Sequence, residues 1–356
     1  EKGVEERLNK LYVLEGSKPI EVPELHAGDI GAIAKLASVQ TGDSLAAKSA
    51  PVLYPKAVIS TPYTYKRYKA VKKGDEDKIS QSLAKMASED KTLRVVNDSA
   101  NRQTLLYGMG DQHLDIVVSK LKERYKVDVE LSKPKVPFRE TIRKNSDVEG
   151  KHKKQSGGHG QYGHVKMKFE PSGDLETPFV FEECVVGGAV PKNYFPAVEK
   201  GLRECMKKGV MAGYPMVGLK AVLYDGSYHP VDSSEMAFKT AASLAFKAGI
   251  PQASPAILEP IGTLKALMPE AYLGDIMGDV TKRRGRVLGM GPSEEDHSLQ
   301  ELVAEVPMAE MANFATVLRS VTAGRGSFTF EFTRYEDAPV PVAEKVIADS
   351  KLLEDD

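Results

Sequence analysis

Apolar residues recur along this chain in two alternating rhythms, and the rhythm changes by segment. Residues 1–55 contain short runs that predict strands: Leu11–Leu14, Ile20–Val22 and Ile30–Leu36, separated by Gly28-Asp29 and Gly42-Asp43. Fifty residues of short strands predict part of a barrel rather than a self-sufficient domain. Residues 56–133 predict a strand over Ala57–Ser60, then a helix with apolar positions Ile79, Leu83, Met86 and Ala87. Strands follow near Leu93–Val96 and Thr104–Met109. A helix then opens at Gly110-Asp111, with a stripe of Leu114, Val117, Val118, Leu121 and Tyr125 at i, i+3, i+4, i+7 and i+11. Val127, Val129 and Leu131 alternate as a strand, which completes the βαββαβ order of a ferredoxin-like unit.

Residues 134–255 mix periods 2 and 3.6. Val165, Met167 and Phe169 alternate, as do Val217, Leu219, Ala221 and Leu223. Tyr194, Val198, Leu202 and Cys205 share a helix face. A second helix is predicted after Asp232, with Asp232 as cap and Glu235 answering it, ending at Gly249. Residues 256–356 return to βαββαβ. A strand over Ile257–Leu264 leads to a helix with Pro269 at its first position and Tyr272, Leu273, Ile276, Met277 and Val280 on its apolar face. Two strands and a helix bearing Met311, Phe314 and Leu318 follow, then Phe328, Phe330 and Phe332 in alternation. A helix over Val342–Lys351 and an acidic tail end the chain. The expected class is multidomain α+β, with hinges near Pro55, Pro134 and Pro255.

The 356 residues carry 49 Lys+Arg and 50 Asp+Glu, so a uniformly basic nucleic-acid coat is excluded while local patches are not. Such a patch lies between Lys151 and Lys166, with four Lys, three of the seven His and no acid. No apolar run reaches the ~18 residues of a spanning helix. No signal peptide is visible at the N-terminus, and two cysteines make no disulfide framework. The expectation is a reducing cytoplasm. The chain begins at Glu1 without Met, which reads as a fragment lacking an N-terminal part.

Candidate chemistry concentrates in three loops. Gln155–Val165 carries four glycines within 157–163, flanked by basic residues, with His159, Gln161, Tyr162 and His164 between them. Lys and protonated His meet phosphate, Gln and His bond base or ribose groups, and Tyr stacks. A solvated hairpin is the plain alternative. Gly226–Glu235 precedes a helix N-terminus. Capping accounts for Asp232 and Glu235 there but not for Tyr228 and His229. Lys282, Arg283, Arg284 and Arg286 place four basic residues in five positions at a helix end, more than the helix dipole requires, and suit phosphate contact. His152, His159, His164 and His229 lack metal-motif spacing, and Ser233, His229 and Asp232 lack a nucleophile elbow. No G-x-x-x-x-G-K-[ST] phosphate loop is present.

Several of these strings occur together, in order, in one family. They are Gly108–Asp115, Phe138–Arg143, Val148–His152, Gln155–Val165, Gly226–Glu235, Leu258–Ile261, and Gly274–Val280 with Arg283-Arg284-Gly285. Through them the chain resembles translation elongation factor G, the ribosomal translocase, with its GTPase domain absent. The resemblance implies the C-terminal part of β-barrel domain II (1–55), a ferredoxin-like domain III (56–133), an α+β domain IV similar to ribosomal protein S5 domain 2 (134–255) and a ferredoxin-like domain V (256–356). It implies a tip formed by His159, Gly160, Gln161, Tyr162, His164, Tyr228 and His229 that enters the decoding centre. Its implied partners are 16S and 23S ribosomal RNA, stalk-base proteins, tRNA and mRNA, with no membrane, for a cytoplasmic monomer. No cofactor, metal or catalytic residue is implied in this chain; GTP and Mg belong to the GTPase domain. The chain departs from the family where His159 replaces a usual Arg, Asp111-Gln112 a commoner Glu-Leu and Pro230 a commoner Asp. These departures keep open an elongation factor G-like paralogue acting in ribosome recycling or stress. Tetracycline-resistance protection proteins share the architecture but lack the Gly-Gln-Tyr-Gly-His string.

Overall fold

A computed structural model describes residues 3–99, 101–155, 160–294 and 296–352. The chain divides into two compact units, Glu1–Pro134 and Lys135–Asp356. In the first, strands β1 (Leu11–Glu15) and β2 (Lys18–Val22) form an antiparallel hairpin around Gly16, whose φ is +61°. The strand expected over Ile30–Leu36 reduces to a single bridge between Ala32 and Tyr12. No residue described from 3 to 61 is buried, so these short strands have no core to close on, and no closed barrel forms among the described residues.

The expected strand at Ala57–Ser60 is also displaced. Those residues pair with nothing, and Val58 is fully exposed at 101%. The strand is β3 (Thr64–Ala70), which turns Tyr68 and Ala70 to the core. It is followed by α1 (Glu76–Glu89), β4 (Arg94–Asp98), β5 (Gln103–Gly108), α2 (Asp111–Tyr125) and β6 (Val129–Ser132). The sheet runs β4-β5-β3-β6, all antiparallel. Ile79, Leu83 and Met86 of α1 meet Leu114, Val117 and Leu121 of α2 over Leu106 and Val129. The helical stripes predicted the correct faces.

The second unit contains β7 (Arg139–Ile142), β8 (Ser146–Lys154), β9 (Gln161–Pro171), β10 (Phe179–Glu183), α3 (Phe195–Met206), β11 (Leu219–Ser227) and α4 (Glu235–Gln252). Then come β12 (Pro255–Met268), α5 (Leu273–Lys282), β13 (Arg286–Pro292), β14 (Gln300–Pro307), α6 (Phe314–Val321), β15 (Ser327–Asp337) and α7 (Val340–Leu352). One sheet, β10-β11-β9-β8, is antiparallel except for the β10–β11 pair. Val165, Met167 and Phe169 of β9 pack beneath α3 and α4, against Leu202, Phe238 and Phe246. Glycine sets the spacing: a Cβ at Gly150 would stand 2.1 Å from the Ala241 carbonyl oxygen, and one at Gly163 2.5 Å from that of Ala237. The helix therefore lies flush on the sheet. The other sheet, β13-β14-β12-β15, is the second ferredoxin-like module. Pro269 precedes a single 3₁₀ turn ahead of α5 instead of opening the helix, because its ψ of 144° is extended.

A hinge near Pro255 does not survive in the structure. β7 pairs antiparallel with β12, Arg139 opposite Leu258 and Ile142 opposite Pro255, so the ladder crosses the junction. Glu140 lies in this ladder, fully buried at 0% exposure. Its carboxylate accepts hydrogen bonds from four backbone amides: Val210 at 2.6 Å, Met211 and Ala212 at 2.9 Å and Tyr214 at 3.2 Å. Gly209 has φ +56°, and a Cβ there would meet the carboxylate at 2.3 Å. Glu140→Gln swaps an acceptor for a donor facing those amides. It should destabilise the second unit by on the order of 3 kcal/mol, measured by denaturant unfolding. A loss below about 0.5 kcal/mol would disprove the carboxylate's structural role.

Candidate functional site

The far end of the β8–β9 hairpin and the loop after β11 meet at one tip. β8 and β9 stay paired to Lys154 opposite Gln161, and β9 pairs with β11 to His164 opposite Ser227. The loop from 228 to 234 then closes on the hairpin. Tyr162 N donates to the Asp232 carbonyl at 2.8 Å, Gly160 N to the Asp232 carboxylate at 2.9 Å and Ser233 Oγ to the Tyr162 carbonyl at 2.9 Å. A Cβ at Gly160 would press on that carboxylate at 3.0 Å.

Asp232 therefore latches the hairpin and does not cap the helix. The cap is Ser234, whose side chain accepts from Ala237 N at 3.2 Å. The capping-box expectation misplaced the helix start by two residues, because Asp232 has a tertiary donor that outcompetes the local one.

Of the expected tip residues, His159 lies outside the described residues. Gly160, Tyr162, His164 and His229 come together. Tyr162 and His229 stand with ring centroids 6.4 Å apart, tilted by 59°. Gln161 pairs elsewhere, its Oε1 2.9 Å from His152 Nε2. Tyr228 is exposed on the second loop. The His229 side chain is half exposed. Its Nδ1 accepts from Asp232 N at 3.1 Å and Val231 N at 3.3 Å, which keeps the ring in place and leaves Nε2 for an outside partner. His164 is not a projecting group: its side chain is 12% exposed, with Nδ1 2.8 Å from Ser227 Oγ and Nε2 3.3 Å from Glu149 Oε2. Ser227 also meets Tyr162 OH at 2.7 Å. Ser227, Ser233 and Glu149 were missed as tip residues. Both serines lie within the loop singled out by sequence, but their partners are more than sixty residues away in the chain.

Positive charge lines the hairpin. Lys151 Nζ lies 6.0 Å from the Tyr162 ring centroid, and Lys153 and Lys154 are exposed. Lys166 pairs with Asp225 at 2.8 Å. Ser233, His229 and Asp232 do not assemble a hydrolytic triad: the Ser233 hydroxyl donates to a carbonyl and accepts from His229 N at 2.8 Å, not from the imidazole. No cluster of three or more metal-ligating side chains occurs among the described residues.

The basic run after α5 differs from expectation. Arg283 is 9% exposed, with Nε on Asp279 at 2.6 Å, and lies 5.4 Å over the Phe314 ring. Arg284, at φ +61°, forks onto the buried Glu259 with both bonds at 2.8 Å and reaches Glu310 at 3.1 Å. These two arginines serve the fold: Arg284 neutralises the buried Glu259 and Arg283 the half-buried Asp279. Arg286 is exposed and pairs with Glu305 at 2.8 Å, and Lys282 is exposed.

Two antiparallel βαββαβ modules and an α+β module with a two-loop tip define a multidomain α+β architecture. The model "Elongation Factor G, domain III" matches residues 59–133, "Elongation factor G, domain IV" matches 134–254 and "Elongation factor G C-terminus" matches 256–346. A crystal structure of a protein from Thermus thermophilus is similar, with 38% identity and a TM-score of 0.78; the match covers 96% of this chain and 51% of that one. The chain belongs to the elongation factor G family and spans about half the length of the Thermus protein. No helix among the described residues is long and apolar enough to cross a membrane.

Two predictions follow the charges. Arg284→Ala strands the buried Glu259 carboxylate and should cost on the order of 3 kcal/mol, whereas Lys282→Ala should leave the unfolding midpoint unchanged; equal midpoints for both would refute the assignment. Glu305 is held down to about 2 from 4.5, first by the Arg334 hydrogen bonds and also by Arg286. A carboxylate depressed on folding contributes stability above its unfolded value that is lost as pH falls toward 2. Arg334→Met should raise the Glu305 titration by NMR and move acid unfolding to higher pH. A Glu305 midpoint still near 2 would count against it.

Proposed function

We propose that this chain is the ribosome-engaging portion of a translational GTPase that drives tRNA–mRNA translocation. The observation carrying the proposal is the latched tip. Two loops distant in sequence are tied by Asp232 and Ser233 into one rigid end. It presents Tyr162 and His229 beside Lys151, Lys153 and Lys154. A preorganised aromatic and basic end suits unpaired bases and phosphates of folded RNA. It holds tRNA and mRNA in place without making or breaking a bond. GTP and Mg act in a domain outside this chain, and Lys282 and Arg286 add charge contacts to 23S rRNA or stalk-base proteins. The protein works in the cytoplasm as a monomer.

The test uses the full-length protein in single-round assays. His229→Ala should slow translocation about tenfold while GTP hydrolysis stays near wild type, with the unfolding midpoint of the 356-residue chain checked alongside. If His229→Lys restores the rate, charge toward RNA is its role; if it does not, ring geometry is. Wild-type translocation by both variants would refute the tip assignment. Subunit splitting without translocation by the wild-type protein would favour a recycling paralogue instead.

A further inference from the structure

Beneath the tip a chain of hydrogen bonds links four side chains: Tyr162 OH to Ser227 Oγ at 2.7 Å, Ser227 Oγ to His164 Nδ1 at 2.8 Å and His164 Nε2 to Glu149 Oε2 at 3.3 Å. With the imidazole neutral, its acid end sets the direction of every proton. An ionised carboxylate only accepts, so Nε2 carries the imidazole proton. The neutral ring then has a bare Nδ1, which takes the Ser227 proton. Ser227 has no second proton, so the Tyr162 phenol must donate inward. Its oxygen is left with lone pairs only.

We propose that Ser227, His164 and Glu149 are positioning residues that fix the ring of Tyr162 and the polarity of its hydroxyl. This deepens the proposed function and rests on it. The phenol then meets RNA as an acceptor, matching a ribose 2′-hydroxyl or a base N–H and not a phosphate oxygen. Protonation of His164 reverses the chain: Nδ1 then donates to Ser227, Ser227 donates to Tyr162, and the phenol proton turns outward. The charged and titratable groups around His164 are Glu149 and Lys151 on β8, Tyr162 and Lys166 on β9 and Asp225 on β11.

The experiment has two arms. In the first, NMR of the 356-residue chain with ring-labelled tyrosine follows Tyr162. Ser227→Ala should average its ring signals and speed exchange of its hydroxyl proton. Ser227→Thr, which keeps the hydroxyl, should preserve both. Unchanged Tyr162 signals in Ser227→Ala, at an unchanged unfolding midpoint, would overturn the relay. In the second arm the full-length protein is assayed for translocation. Tyr162→Phe and Ser227→Ala should each slow it about fivefold, the size of one hydrogen bond, and the double variant should be no slower than either. Additive losses would overturn the shared-hydroxyl role. If Tyr162→Phe is as fast as wild type while His229→Ala is slow, the polarity claim fails and the tip reading stands. If both are fast, the tip reading itself fails.

Discussion

The second unit is organised around one buried carboxylate. Among the described residues no cation pairs with Glu140; its charge is met by four amides from the turn after α3. Its own N–H bonds to the Pro215 carbonyl, its carbonyl accepts from Val217 N, and its strand pairs with β12. Three pieces of chain thus depend on it: the approach to β11, the turn from 209 to 214 and the strand that enters the second ferredoxin-like sheet. A fully desolvated charge is tolerated only with such saturation, so these pieces must be placed together. Rigid coupling of the tip-bearing module to the following one is the mechanical consequence. The Arg143–Asp337 pair and the bond from Tyr335 OH to the Pro137 carbonyl strengthen the same seam.

The tip obeys a similar rule on a smaller scale. Its two loops are joined mainly by backbone groups, with the side chains of Asp232 and Ser233 as clasps. The glycines of the motif serve packing as well as reach. Gly163 lets α4 lie against β9, and Gly160 leaves room for the Asp232 carboxylate. Helix, hairpin and loop are therefore one body, and a ring placed there keeps its direction. Precise placement of a few groups is what the proposed role of the tip requires.

Charge at the surface follows a different logic. The run from Lys282 to Arg286 looks like a uniform patch when written out, yet its members have unequal fates. Arg283 and Arg284 face acids at Asp279, Glu259 and Glu310. Fixed guanidinium forks suit such pairs better than lysine would. The lysines of β8 at 153 and 154 stay exposed at the hairpin end.

Local apolar periodicity was enough to place most of the regular elements. The stripe Leu114, Val117, Leu121 and the alternation Val165, Met167, Phe169 are local patterns, and burial followed them. The βαββαβ order of both ferredoxin-like modules was legible for the same reason, as were the two loops singled out by their glycine, histidine and tyrosine content. Whatever depends on distant partners was settled by packing across the fold. The strand at Ala57–Ser60 failed because no neighbouring strand pairs with it. Asp232 left its capping role because Gly160 supplied a donor from across the tip. Arg283 was buried and Arg284 drawn into ion pairs because Asp279, Glu259 and Glu310 were within reach. Local patterns encode which face of an element is apolar. They do not encode which distant donor or acceptor will satisfy a given polar group, and that pairing assigned Glu140, Ser227 and Arg284 their roles.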